Sequence, residues 1–171
     1  ETDLGADPLD LGQLRVAIAF IDLAGYTQLT EELGEEEAVS AVERFVETVI
    51  NTLPDEARIV KTIGDEVMVV SSDPAALTDW SVGFQRLSTA RPLPRIGIHY
   101  GATLYRDGDY FGLAVNIAAR VVARAAGGEV LVTRSVVEHA GSHLAFEAIG
   151  EVRLKGFHEP TELFLVGLGE E

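Results

Sequence analysis

The sequence predicts one α+β domain, a ferredoxin-like βαββαβ core followed by a C-terminal α/β extension. Three observations carry that reading. Strand-like apolar runs and segments of helical period follow one another in the order β-α-β-β-α-β as far as Tyr105. Two strand junctions, Gly64-Asp65 and Asp107-Gly108, have the chemistry of hairpin turns. No linker, repeat or low-complexity tract divides residues 15–168, and a chain of 171 residues suits a single domain.

Taken in order, residues 1–14 are acidic, contain Gly and Pro and show no period, so they read as a linker or tail. RVAIAFID (15–22) is a continuous apolar run closing on Asp22, the pattern of a strand buried on both faces. From Glu35 to Leu53, apolar residues recur at three and four (Val39, Val42, Phe45, Val46, Val49, Ile50, Leu53). The acidic start of this helix suits the positive end of its dipole. RIVKTI (58–63) and EVMVVS (66–71) flank Gly64-Asp65 as a hairpin. Asp73-Pro74 supplies an N-cap and a first-turn proline for a helix with Leu77, Trp80, Phe84 and Leu87 on one face.

RIGIHYGATLYR (95–106) reads as a long strand, and Asp107-Gly108 turns it back into DYFG. A helix over 113–125 then ends at Gly127-Gly128. A short strand (129–133), a short helix (135–139) and two closing strands (145–154 and 162–168) complete the domain, with 169–171 as a tail.

Composition excludes several classes of function. Thirteen Lys and Arg stand against 28 Asp and Glu, a formal net charge of −15. Such a chain lacks the basic face that nucleic acid or an anionic membrane requires, so neither is expected as a partner. No apolar stretch approaches the roughly 18 residues of a membrane span. Without cysteine there are no disulfides, thiolate metal sites or cysteine nucleophiles. A chain beginning at Glu1 with no signal peptide reads as a piece of something longer. Its expected location is cytoplasmic, including as the cytoplasmic part of a larger, membrane-attached protein.

The strand order has a geometric consequence. A strand–helix–strand crossover returns the chain in its original direction, so strands 15–22 and 58–63 end at the same sheet edge. Asp22 and Asp65 therefore arrive together, and neither is expected in the core. Two carboxylates at one edge can share a pair of divalent cations, and Mg²⁺ favours one or two carboxylates completed by substrate phosphates. The competing reading is local, with Asp22 capping the turn at Ala24-Gly25 and Asp65 filling a turn position. Lys61 and Lys155 are the only lysines, each beside a glycine-containing motif. Lys61 reads equally as an outward strand residue, and Asp109 as simple turn chemistry. Asn116 and Arg120, at i and i+4, share one face of an otherwise apolar helix. That guanidinium suits either a neighbouring carboxylate or a phosphate. The four histidines show no metal-ligand spacing, and Trp80 is expected in the core.

FIDLAGYT (20–27), KTIGDE (61–66) and DYFGLAVNIAAR (109–120) together resemble the signature segments of class III nucleotidyl cyclases, in that family's order and approximate spacing. The resemblance runs from Arg15 to Leu168. It implies a head-to-tail homodimer with shared active sites, converting ATP to 3′,5′-cyclic AMP and pyrophosphate with two divalent metal ions, Mg²⁺ or Mn²⁺. It assigns Asp22 and Asp65 to the metals, Lys61 and Asp109 to the adenine edge, Asn116 to the ribose, Arg120 to the transferred phosphoryl group and Lys155 to the triphosphate. No side chain in these motifs is an obvious general base. Leu113 and Ala114 depart from the small polar residues of many members, and Glu129 stands near where some place a phosphate-binding arginine. IGDEV is superficially similar to the GGDEF signature of diguanylate cyclases, whose other motifs are absent. The alternative function is a cyclase-homology module that binds nucleotide or dimerises without turnover.

Overall fold

The computed structural model describes residues 13–169. One eight-stranded sheet runs through the molecule, built from β1 (Gln13–Leu23), β2 (Ala57–Ile63), β3 (Glu66–Ser71), β4 (Pro94–Arg106), β5 (Asp109–Phe111), β6 (Val130–Thr133), β7 (Leu144–Val152) and β8 (Thr161–Leu168). Its order is β2-β3-β1-β4-β6-β8-β7, with β5 paired to β4. The first four strands in that order are the ferredoxin-like arrangement, and the β6-β8-β7 extension continues from β4. β1 is antiparallel to β3, and β3 to β2, so β1 and β2 run in the same direction and end at one edge, as the crossover requires.

Helices cover both faces. α2 (Glu35–Thr52) and α3 (Pro74–Leu87) lie on one, where Ala17, Ala19 and Ile21 meet Phe45, Val49, Leu77 and Phe84. α4 (Leu113–Val122) lies on the other, where Ile18, Phe20, Met68 and Val70 meet Ala114, Ala118 and Val122. This two-sided cover explains why β1 is apolar at every position from Val16 to Ile21. The N-cap expected at Asp73 forms, its carboxylate accepting from the Ala76 amide at 3.1 Å. Asp107 and Gly108 both adopt positive φ, as a two-residue hairpin turn demands.

Several expectations need correction. The chain enters β1 at Gln13, two residues inside the segment read as tail, and residues 1–12 and 170–171 lie outside the described part. α1 (Tyr26–Leu33) has no counterpart in the sequence reading: its apolar stripe is only Tyr26, Leu29 and Leu33 over two turns, and none of its residues is fully buried. On α2, Val39 and Ile50 point to solvent, and on α3 so does Leu87, while Trp80 is only half-buried against Phe84. α4 ends at Val122 rather than 125. No described helix is long and apolar enough to cross a membrane.

The approach of α4 to the sheet is unusually close, and glycine permits it. A Cβ built on Gly97 would lie 2.4 Å from the backbone nitrogen of Val122, and one on Gly101 would lie 3.2 Å from the Cβ of Ala114. Ala114 is thus small for a packing reason. Between these glycines, His99 is tucked under the helix with Nδ1 2.7 Å from the Thr133 hydroxyl. Burial, helped by the Arg15 charge, pushes its pKa down from 6.5 to about 4.

Two measurements test this packing. Gly97→Ala should lose about 3 kcal/mol, because the Val122 backbone cannot move aside without lifting α4, and Tm should fall by about 5–10 °C. Gly83→Ala on α3, where an added Cβ meets open space, should instead gain about 1 kcal/mol; equal effects at both sites would refute the close-contact account. For His99, the folded pKa lies below the unfolded one, so the unfolded chain binds the extra proton between pH 6.5 and about 4. Its contribution is complete above pH 6.5 and is lost as pH falls through that window. In urea titrations His99→Gln should therefore lose less stability than the parent between pH 7 and pH 5.

Candidate active site

The ends of β1 and β2 gather a compact group of charges. Along the sheet, Asp22 stands directly opposite Glu66 on β3 and Arg95 on β4. Residues in register share a face, so these three side chains emerge together. Arg95 grips Asp22 with two hydrogen bonds, Nε donating to Oδ1 at 2.6 Å and Nη2 to Oδ2 at 3.2 Å. Asp22 is buried, contrary to the sequence reading, and its ion pair with Arg95 is what makes that burial tolerable. Asp65, in the β2–β3 turn, feels the charges of both Asp22 and Arg95.

Three carboxylates here face one guanidinium. Burial raises the Asp65 carboxyl above its usual range, and the Asp22 charge adds to this, against hydrogen bonds from the backbone of Asp65 and Leu23. Burial likewise raises Glu66, with further contributions from Asp22 and Asp65. The surplus of buried negative charge fits a divalent cation, and the donors are hard oxygens, which suit Mg²⁺ or Mn²⁺. Among the described residues no group of three or more His, Cys, Asp or Glu is arranged as a metal cage. The residues that could hold such a cation are Asp22 and Asp65.

A second pair forms between β2 and the β4–β5 hairpin. Lys61 Nζ donates to Asp109 Oδ2 at 2.8 Å, joining residues 48 apart in sequence. The other carboxylate oxygen accepts from the Tyr110 amide at 2.7 Å. The Lys61 hydrogen bond, above all, holds the Asp109 carboxyl below its usual range. Both partners remain accessible to solvent, with 43% and 25% of the side-chain surfaces exposed, so a ligand can reach them.

The remaining candidates are not gathered with these. Ala114, Ala118, Val121 and Val122 turn α4 toward the protein interior, which leaves Asn116 and Arg120 on its solvent side. Arg120 forms no ion pair with another described residue. Lys155 is exposed on the loop after β7, which is pinned by Leu154, buried with Val121, Ala125 and Leu163. Glu129 serves the loop itself, accepting from the Ala126 amide at 2.8 Å. Three histidines are occupied locally: His99 meets the Thr133 hydroxyl, His143 pairs with Asp79 and His139 with the Ser135 carbonyl.

Sequence reasoning passed over Arg95 and Glu66. The signal available for both was register, since each begins a strand that must pair with β1, and opposite Asp22 a charged residue has only charged company.

Comparisons with known proteins identify the family and the fold. The family model described as "Adenylate and Guanylate cyclase catalytic domain" matches residues 12–167. The chain is 36% identical over 166 residues to the pH-sensitive adenylate cyclase MT1302 of Mycobacterium tuberculosis, covering 92% of this chain and 42% of that protein. It is 34% identical over 142 residues to an adenylate cyclase of Streptomyces griseus, covering 81% of this chain and 36% of the relative. It thus spans less than half the length of these curated relatives. Among solved structures, the adenylyl cyclase CyaB from P. aeruginosa superposes with a TM-score of 0.75 at 21% identity, covering 99% of this chain and 97% of that one. The match over almost all of the described residues, with the conserved fold behind it, shows that the chain belongs to the adenylate and guanylate cyclase catalytic domain family.

Proposed function

We propose that this domain is an adenylyl cyclase, converting ATP to 3′,5′-cyclic AMP and pyrophosphate. The observation that carries the choice of ATP is the Lys61–Asp109 pair, a donor and an acceptor side by side and open to solvent. Adenine offers a ring nitrogen to accept from the ammonium and an exocyclic amine to donate to the carboxylate. Guanine presents a carbonyl where that amine would be, leaving the carboxylate unpaired, and a site with an unpaired polar group rejects its ligand strongly.

Asp22 and Asp65 would hold the divalent cations. Bound there, these would ease ionisation of the ribose 3′-hydroxyl and neutralise triphosphate charge. Asn116 would orient the ribose so that its 3′-oxygen lies in line with the α-phosphorus. That oxygen forms the new P–O bond, the bond to pyrophosphate breaks, and the hydroxyl proton leaves to solvent. Arg120 would donate to the phosphoryl oxygens as charge builds on them, and Lys155 would bind the triphosphate.

Two features support assembling each site from two chains. Asn116 and Arg120 face away from the sheet that bears Asp22, and Arg120 has no partner among the described carboxylates. In a two-fold dimer, Lys61, Asp109, Asn116 and Arg120 of one protomer would face Asp22 and Asp65 of the other, giving two equivalent sites.

Cyclic AMP production, measured with Mg²⁺ and Mn²⁺ added separately, tests the activity directly. Nucleotide binding without product in either metal would favour a regulatory module instead. Asp65→Ala should cut turnover by several orders of magnitude while the fold survives, and near-normal activity would sink the metal assignment. Asp22→Ala should be equally inactive. It should also lose stability, about 1–3 kcal/mol, because Arg95 loses both hydrogen bonds and keeps only the weaker attraction of Glu66 and Asp65.

Complementation tests the shared site. Asp65→Ala and Arg120→Ala should each be nearly inactive as homodimers. In a mixed dimer one site collects both lesions and the other none. Random 1:1 exchange makes roughly half the dimers mixed, so roughly a quarter of wild-type activity should return. A mixture that stays inactive after verified subunit exchange, or a fully active monomer, would overturn the shared-site model.

A further inference from the structure

Lys61 and Asp109 lie on different parts of the sheet, and something must hold them together when no nucleotide is bound. Their own ion pair is too exposed for that task, since such pairs contribute at most about 1 kcal/mol. A second link lies beside it. Arg58 Nη2 donates to the Tyr110 hydroxyl at 2.6 Å. The guanidinium carbon sits 5.5 Å from the Tyr110 ring centroid and 5.7 Å from that of Tyr105. These two rings face each other across the β4–β5 hairpin, 4.9 Å apart, in strand register. Tyr110 is buried, so its ring is a fixed post rather than a mobile flap. It is also the residue whose amide holds the second oxygen of Asp109.

Arg58 and Lys61 address the hairpin from one side only because β2 is irregular. Residues three apart on a regular strand point to opposite faces. The ladder between β2 and β3 slips between Ile59 and Lys61, so that Arg58 pairs with Val70 and Lys61 with Met68. Val70 and Met68 are two apart on β3 and share one face, packed in the cluster with Tyr110 and α4. The extra residue, Val60, thereby brings Arg58 and Lys61 to the same side. One strand thus presents two cations to one hairpin: Lys61 to the Asp109 carboxylate, Arg58 to the adjoining tyrosines.

We infer that Arg58 is a positioning residue for nucleobase selection, clamping the Tyr105–Tyr110 pair to β2 and so fixing the Asp109 carboxylate against Lys61. This deepens the reading of Lys61 and Asp109 as the adenine-recognising pair and rests on it. Arg58 itself touches no substrate in this account. Its planar fork and its stacking on two rings are properties a lysine supplies only in part.

The test compares the parent chain with Arg58→Leu, Arg58→Lys, Tyr110→Phe and Lys61→Glu. Discrimination is read as the ATP-to-GTP ratio of kcat/KM, and independently as the ratio of their Kd values in displacing a fluorescent ATP analogue. Arg58→Leu should narrow both ratios by about tenfold, with the loss falling on KM for ATP more than on kcat. Tyr110→Phe, which keeps the buried ring and removes only the hydroxyl, should narrow them by about threefold. Arg58→Lys should fall between the parent and Arg58→Leu. If Lys61→Glu narrows the ratios while Arg58→Leu and Tyr110→Phe do not, the clamp is wrong and the base-reading pair stands. If Lys61→Glu also leaves them unchanged, the base-reading assignment fails, and the clamp with it. Equal losses for both nucleotides, confined to kcat, would mark Arg58 as merely structural and overturn the inference. Should Arg58→Leu fail to fold, Tyr110→Phe decides alone, an unchanged ratio overturning the clamp.

Discussion

The contact on which this molecule depends is the meeting of α4 with β4 at Gly97, where backbone lies on backbone with no side chain between. β4 is paired along its length with β1, from Gln13–Leu104 to Leu23–Pro94. Seating α4 on β4 therefore fixes it relative to the strand that ends in Asp22. Interiors are packed near crystal density and do not deform smoothly, so a close seat leaves the helix one depth and little freedom to roll. Asn116 and Arg120 owe their outward direction to it. The same seat buries His99, which stays neutral under the helix because a charge there would be stranded.

At the carboxylate edge the opposite situation holds, because the charges are not balanced. Arg95 satisfies Asp22 with both of its bonds, but Asp65 and Glu66 have no comparable partner, and burial, with the Asp22 charge added, raises their carboxyls. An arrangement that served stability alone would place an apolar residue or a second arginine there. A half-compensated cluster is costly in the free protein and would become favourable with the proposed cation bound, the trade between stability and function that active sites commonly make.

Much of this was legible in the sequence, for identifiable reasons. β1 announced itself because burial on both faces leaves no polar alternation, and the two hairpins because Gly64, Asp107 and Gly108 take the positive φ their turns need. The meeting of Asp22 with Asp65 followed from crossover topology alone. What escaped notice was whatever depends on register. Arg95 and Glu66 looked like ordinary strand starts until pairing placed them against Asp22. The slip at Val60 leaves no mark in an apolar strand, yet without it Arg58 and Lys61 could not share a face. α1 escaped because its stripe of Tyr26, Leu29 and Leu33 is only two turns long, too short to separate from a loop. Leu87, Val39 and Ile50 fit a helical period and still face water, since period locates a stripe without fixing its width.

The net charge of −15 raises a final question, how so acidic a chain could hold a triphosphate between two copies of itself. Range answers it. At physiological ionic strength exposed charges are screened over about 8 Å, so most of the acidic surface, such as Glu35, Glu36 and Glu37 at the start of α2, acts only on its immediate surroundings. What a bound nucleotide would feel is the local set. In the proposed dimer this set is Lys61, Arg120 and Lys155 from one chain, with Arg95 and the cations held by Asp22 and Asp65 from the other. Neither half is sufficient. The α4 side offers cations and a carboxylate, Asp109, already engaged by Lys61, and the β1 edge offers carboxylates whose single arginine is already engaged. Complementarity between the two halves, rather than overall charge, is therefore what would make the nucleotide welcome. In that proposed dimer Phe111 and Leu113, which stand exposed between Asp109 and Asn116, would be buried by the partner and give an acidic chain a reason to pair through this surface.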